Sequence, residues 1–415
     1  MAASAPPRLT GAPWLARPET QAAFAALDAR GFAARVVGGA VRDALMGRPV
    51  ADVDIATDAR PEEVMRAVEA AGLKAMPTGL AHGTVTVVAG DRHFEITTLR
   101  RDVETHGRHA TVAFTDDWAE DARRRDFTLN ALYCSADGEV YDPLSGYPDL
   151  LARRVRFIGV PAERIREDYL RILRFFRQTA DYGRGPADAE GLAACVRERA
   201  GLARLSGERV RDELLRLLAA PRGPEIAALM QDYGLLPAVL GAAPRPTLLA
   251  RLAAIEGALG LAPDAVLRLA ALAVEVEEDG LRLRERLRLS NDQTEKLLRA
   301  AARHPKVDPL AAEAEARVAL YRLGPEAYRE RMLVAWARSG EGPQSEPWRR
   351  QLALPGRWQA PTFPIGGADV LAQGVPPGPR VGELLRTLED WWIAGDFSAD
   401  AALLRAKLRD LLAAT

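Results

Sequence analysis

The chain reads as α+β, with a small mixed β-sheet and its helices in the first third, followed by an all-α neck, body and tail. Three observations carry that reading. Residues 31–145 hold most of the period-two alternation, in "AARVVGG", "ADVDIAT", "GTVTVVAGDRHFEITTLR" and "FTLNALYCSADGEVYDP", interleaved with the helix-like "PEEVMRAVEAAG". From about residue 160 the apolar spacing becomes helical and Ala, Leu and Arg dominate. The 415 residues suffice for two to four domains with cores of their own, and 48% hydrophobic content is ordinary for globular folds.

Taken in order, residues 1–30 are an N-terminal arm and first helix, and 31–145 are the βα head. Residues 146–220 form a helical neck, 221–345 a helical body and 346–415 a helical tail. The stretches "PRGP", "GAAPRP" and "RHPKVDP" mark turns between helices, because proline and glycine end helical runs. A Pro/Gly/Trp-rich stretch, "EPWRRQLALPGRWQAPTFPIGG", precedes two final helices in "VGELLRTLEDWWIAG" and "ADAALLRAKLRDLLAA".

Net charge is −1, so any site for a polyanion must come from local clustering. All but four of the 56 basic residues are arginine, the exceptions being Lys74, Lys296, Lys306 and Lys407. Cys134 and Cys195 sit in apolar surroundings without partner spacing, which argues against a disulfide and against thiolate metal ligation. The start lacks an apolar core of signal-peptide length, and no later run reaches membrane-spanning length without a charge. The expectation is a soluble, cytoplasmic protein with no membrane association.

In "VVGGAVRDALMG", Gly38 and Gly39 follow an apolar strand and lead into a short helix closed by Gly47. Such a turn is either a plain strand-to-helix connection or a place where backbone amides face phosphate oxygens. In "ADVDIAT", alternation puts Asp52 and Asp54 on one strand face while Val53 and Ile55 pack on the other. Paired carboxylates on a rigid element are either a solvated face or a site for a hard divalent cation. In "RHFEITTLR", Phe94 and Ile96 face the core, and Glu95 can face the aspartates from a neighbouring strand, with His93 as a surface neighbour. Three converging acids beside a glycine turn suit two-metal phosphoryl or nucleotidyl transfer.

The motifs "GGAVRDALMG", "DVDIAT", "FEITTLRRD", "RRDFTLNALY", "REDYLRILRFFR" and "LSGERVRDELLRLL", in that order, resemble those of the class II CCA-adding tRNA nucleotidyltransferases and of the bacterial poly(A) polymerases that share their fold. The resemblance covers the chain to about residue 220 and returns in "FPIGGADVLAQGVPPGPRVGELL" near the end. It implies that Asp52 and Asp54 hold two magnesium ions and that Glu95 assists at the primer end. It further implies that Gly38, Gly39 and Arg42 face the triphosphate, and that Arg125, Asp126 and Asn130 surround ribose and triphosphate.

Helical spacing in "REDYLRILRFFR" puts Ile165, Tyr169, Ile172 and Phe176 on an apolar stripe and Glu167, Asp168, Arg171 and Arg174 on the other side. By itself this fits a Glu-to-Arg surface pair. The resemblance turns it into a nucleotide-binding template: Asp168 and Arg171 offer complementary hydrogen bonds to the Watson–Crick edge of an incoming base, with Glu167 orienting Arg171 and Arg174 alongside. Tyr169 stands where relatives often carry proline, and Ser145 where a Gly-Gly pair is common at the head–neck joint. His304 is the only histidine after residue 110, so no His-Asp phosphohydrolase module follows.

The reading that results is addition of C and A to the 3′ end of tRNA from CTP and ATP, with release of pyrophosphate. The segment "LRRDVETHGRHATVAFTDDWAEDA" resembles the flexible loop of members that add both nucleotides. Residues 151–220 hold 15 arginines against ten acidic residues, where the acceptor arm could dock, and the resemblance gives the tail a tRNA-binding role. The rivals are a poly(A) polymerase with the same catalytic residues, a catalytically silent tRNA-binding protein, and a nucleotidyltransferase acting on small molecules, against which the long helical region speaks.

Overall fold

The computed structural model describes residues 5–106 and 109–413, without the side chains of 81 and 102–112. It divides into two compact units, residues 1–244 with 285–288, and residues 245–284 with 289–415. The first four residues of the expected N-terminal arm lie outside the described residues.

The first unit is built on a seven-stranded mixed sheet of β1 (Ala34–Val37), β2 (Asp54–Thr57), β3 (Lys74–Gly79), β4 (Thr84–Ala89), β5 (Arg92–Thr98), β8 (Tyr133–Cys134) and β9 (Val140–Tyr141), ordered β3-β4-β5-β2-β1-β8-β9. Among the described residues of this sheet only β2 and β5 pair in parallel. Val36, Ile55, Val85, Val87, Phe94 and Ile96 are fully buried, as the alternation requires. The helices α1 (Pro18–Asp28) and α3 (Pro61–Ala70) pack on each other and on β4, while α2 (Gly39–Leu45) follows β1 directly. Sequence alternation missed β3, an edge strand that carries Pro77 and a register shift between Met76 and Gly79. An edge tolerates both, because its outer backbone groups need no ladder partner.

Where a flexible loop was expected, β6 (Arg100–His106) and β7 (His109–Phe114) form an antiparallel ribbon, and residues 107–108 of that segment lie outside the described residues. The short helices α4 (Trp118–Arg123) and α5 (Tyr147–Leu151) flank the last two strands. Cys134 and Cys195 are buried and unpaired.

The helices α6 (Pro161–Glu167), α7 (Leu170–Tyr182), α8 (Ala189–Arg197), α9 (Gly207–Ala219), α10 (Gly223–Asp232) and α11 (Leu235–Leu240) complete this unit. Phe127, beside the last strands, lies 4.9 Å from Phe157 and 6.3 Å from Phe175, and Phe157 stacks on Phe175 at 5.4 Å. Head and neck thereby share one aromatic core within a single unit. At their joint Ser145 adopts a left-handed φ of 54°, and the Gly146 amide donates to Asp142 at 2.8 Å. A Cβ on Gly146 would stand 2.2 Å from the Thr128 carbonyl oxygen, so the second glycine of the usual pair is sterically required here, while serine replaces the first.

The second unit is helical: α12 (Pro246–Ala258), α13 (Ala265–Ala273), most of α14 (Glu277–Leu287), α15 (Asn291–Ala301), α16 (Glu313–Leu323), α17 (Pro325–Ser339), α18 (Glu346–Leu352), α19 (Leu354–Arg357), α20 (Gly367–Leu371), α21 (Pro379–Ala394) and α22 (Ala401–Ala413). Trp336 and Trp348 stack with centroids 6.1 Å apart, and Val370, Leu388, Trp392, Leu404 and Leu408 form the core of the last turns. Among the described residues no helix is long and apolar enough to cross a membrane.

Candidate active site

The parallel pairing of β2 with β5 sets Asp54 directly opposite Glu95, and β1 sets Val37 opposite Asp54. Gly38 therefore leaves the sheet beside the two carboxylates. The alternation in "DVDI" is real although the strand begins only at Asp54: Val53 and Ile55 are buried and Asp52 and Asp54 exposed. His93 is exposed two residues from Glu95 along β5, as expected of a surface neighbour.

The protein packed around it raises the pKa of Asp54 from the ordinary carboxylate value, the charges of Glu95 and Asp52 add to the rise, and Arg125 opposes it. Three like charges are thus within electrostatic reach, opposed by one guanidinium. Among the described residues no three acidic, imidazole or thiol groups form a ready metal cage, while Asp54 and Glu95 stand opposite each other in the parallel pair. Magnesium is ordinarily held by one or two carboxylates together with substrate phosphates, and the hard oxygen donors of Asp52 and Asp54 fit that use.

Gly38 has φ +74°, a conformation L side chains rarely adopt, and its amide donates to the Leu132 carbonyl at 3.1 Å. The Arg125 Nη1 lies 3.9 Å from where a Gly38 Cβ would stand. A Cβ at Gly39 would meet only Arg42 Nη2 at an ordinary 3.6 Å, so its lack of a side chain is not demanded by the fold.

Arg125 is fixed by Asp121, a fully buried acid that sequence reasoning missed. Asp121 accepts from Arg124 Nε at 2.7 Å, from Arg125 Nη2 at 2.9 Å and from Tyr133 Oη at 2.8 Å. Burial alone would raise its pKa, but the two guanidiniums and the phenol outweigh it and hold Asp121 at about 2. The i,i+4 and i,i+3 spacing in "DARRR" was the available signal.

A second network runs from the turn to the neck. Arg42, buried, donates to Asn130 Oδ1 at 2.6 Å and to Tyr182 Oη at 2.6 Å, and pairs with Asp43 at 3.0 Å. Asn130 Nδ2 donates to Asp126 at 3.1 Å, and Asp126 pairs with Arg174 at 2.9 Å. Burial raises the Asp126 pKa, but Arg174, Asn130, Arg171 and the Phe127 amide together outweigh it, so the net shift is downward. Four of the five Arg42 N–H bonds are occupied within the protein, which makes it a brace for Asn130 as well as a cation near the turn.

The single helix expected over "REDYLRILRFFR" is two helices. Chain direction changes at Asp168 (φ −153°, ψ 107°), whose Oδ1 accepts from the Leu170 amide at 3.2 Å and so caps α7. Tyr169, with φ −61°, occupies the helix entry where proline fits, which accounts for the proline of relatives. Glu167 pairs across the break with Arg171, and accepts from Arg164 at 2.7 Å. Arg164 also donates to the carbonyls of Arg124 and Arg125, the latter at 2.9 Å, and Arg171 to the Arg164 carbonyl at 2.7 Å. Asp168 is held by Arg209 of α9 at 2.7 Å. Arg209 lies inside the quoted "LSGERVRDELL", yet nothing in spacing pointed to its partner 41 residues away.

Residues 34–156 match the family model described as the Poly A polymerase head domain, and residues 188–245 that of a probable RNA and SrmB-binding site of polymerase A. The head fold and these matches place the chain among the nucleotidyltransferases with a polymerase-type head. The mitochondrial CCA tRNA nucleotidyltransferase 1 of Mus musculus is 36% identical over 364 residues, covering 86% of this chain and 82% of the relative. A CCA-adding enzyme of Limosilactobacillus fermentum is 31% identical over 393 residues, covering 94% and 95%. The crystal structure of the Bacillus stearothermophilus CCA-adding enzyme in complex with CTP superposes with a TM-score of 0.73 and 30% identity, covering 96% of this chain and 98% of that one. The chain belongs to the family of CCA-adding tRNA nucleotidyltransferases.

Proposed function

We propose that the protein adds C and A to the 3′ end of tRNA from CTP and ATP and releases pyrophosphate. The observation that carries this is the pairing of Asp54 with Glu95 beside the Gly38 turn, with Arg125 close to the turn and opposing the charge on Asp54. Relatives solved with CTP, and with a primer tRNA and an incoming ATP analog, support the substrates.

Asp52 and Asp54 would hold magnesium. Two such ions, when bound, lower the pKa of the 3′-hydroxyl and neutralise charge on the triphosphate. Glu95 orients the primer end, Arg42 and Arg125 supply cations towards the phosphates, and Asp126 and Asn130 meet the ribose. Gly38 and Gly39 let the backbone approach the triphosphate. Glu167 holds Arg171, Arg209 holds Asp168, and the two template groups present a donor and an acceptor to the base. Arg174 braces Asp126 against the same helix. In this reading residues 31–145 are the catalytic head, 146–220 the neck, 221–345 the body and 346–415 a tail that grips tRNA. The protein acts in the cytoplasm, a reading supported by its two free thiols.

Incubation with CTP and ATP of a tRNA lacking its CCA end, and separately of an unrelated RNA, tests this. The expected result is three added nucleotides on the tRNA alone. Long A tails on both RNAs would establish a poly(A) polymerase instead.

A further inference from the structure

The helix α7 meets the groups of the proposed nucleotide site at three points. At its entry stand Asp168 and Arg171, the two template groups. One turn further, Arg174 pairs with Asp126 at 2.9 Å, and Asp126 accepts from Asn130. Its last residue, Tyr182, accepts through Oη from Arg42 Nη2 at 2.6 Å. Eleven residues separate Arg171 from Tyr182, and at 3.6 residues per turn that is about three whole turns, which puts both on nearly one face some ~16 Å apart. Partners for base, ribose and phosphate turn thus lie along α7 in the order in which a nucleotide presents those parts.

The Tyr182 contact is more than packing. The Arg42 guanidinium carbon lies 3.8 Å from the Tyr182 ring centroid and that of Arg48 4.5 Å, and Arg48 Nη1 donates to the Asp181 carbonyl at 3.1 Å. Arg42 belongs to α2 and Arg48 follows it, so the helix that leaves the Gly38 turn is fastened to the last turn of α7 from two places. Asp43 already balances the Arg42 charge, and burial pushes the Tyr182 pKa up, which keeps the phenol neutral. Its oxygen therefore contributes direction, not charge. It holds one arm of a guanidinium that is 7% exposed and whose other arm, Nη1, orients Asn130.

We propose that Tyr182 is a positioning residue of the nucleotide site: acting through Arg42, it fixes the phosphate turn and Asn130 relative to the template helix without reading the base. The inference rests on the proposed function and deepens it.

The test uses the full chain with Tyr182→Phe, which keeps the ring and removes only the acceptor. In calorimetry CTP and ATP should each bind about tenfold more weakly, the order of one hydrogen bond to a charged group, with their affinity ratio unchanged. In incorporation the loss should fall on KM, with kcat within about twofold of wild type. In an Arg42→Gln background Tyr182→Phe should add less than about twofold, because the group it acts through is gone. Wild-type affinities in the Phe variant, an undiminished effect in the Arg42→Gln background, or an altered choice among the four nucleoside triphosphates would each overturn the proposal. A wild-type chain that binds CTP yet adds nothing to tRNA contradicts the proposed function alone, since the affinity comparison still decides the role of Tyr182.

Discussion

Asp54, a magnesium ligand in the proposed function, carries a charge that acts against the stability of its own fold. Its folded pKa is raised, so the ionised form is disfavoured relative to the unfolded chain, and that penalty sets in as pH rises above the ordinary 3.8. Asp54→Asn should therefore melt higher than wild type at pH 7, with the gap closing below pH 4, while incorporation falls by roughly 10³-fold for the several kcal/mol of lost charge stabilisation. Thermal melts at both pH values and a rate assay check this. Asp121 has the opposite sign. Held at about 2 against an ordinary 3.8, it contributes about 2 kcal/mol that is present above pH 4 and lost as pH falls through 2. Asp121→Ala leaves Arg124, Arg125 and Tyr133 without their shared acceptor and should cost about 3–5 kcal/mol in urea unfolding.

At the scale of elements, the break between α6 and α7 is what sets out the two groups of the proposed template. Asp168 stands in extended backbone that leaves its carboxylate free to cap α7 and meet Arg209. Tyr169 already has the φ of proline, and the residue before it the conformation that proline prefers. Tyr169→Pro should thus leave the choice between CTP and ATP within about twofold of wild type, any loss coming from the ring packed against Gly201. A changed base preference in competition assays would mean that the ring, and not the backbone, shapes the template. The sequence showed the strands of the head, the alternation at Asp52 and Asp54 and the Glu167–Arg171 pair, because these follow from local period and spacing. It hid the helix break, since one capping aspartate does not interrupt an apolar stripe. It also hid β3, Arg209 and Tyr182, whose partners are fixed only by tertiary packing.

For the molecule as a whole, the aromatic core of Phe127, Phe157 and Phe175 joins the part of the head between α4 and β8 to α7, the helix of the proposed template. Phe175 is fully buried, so Phe175→Ala should cost about 3–5 kcal/mol, and hydrogen exchange should show β2 and α7 losing protection together. Loss confined to α7 would show that head and neck unfold separately. Most neck arginines already hold acidic partners, among them Arg164, Arg171, Arg174, Arg177 and Arg209, so the local charge excess first serves to position the site. The account rests on a template made of protein side chains beside a carboxylate site. Primer extension of a tRNA lacking its CCA end, with all four nucleoside triphosphates competing, tests it by comparing wild type with Arg171→Ala. The account predicts a wild-type product ending in C-C-A and a variant that also incorporates UTP and GTP; a variant with undiminished selectivity would contradict it.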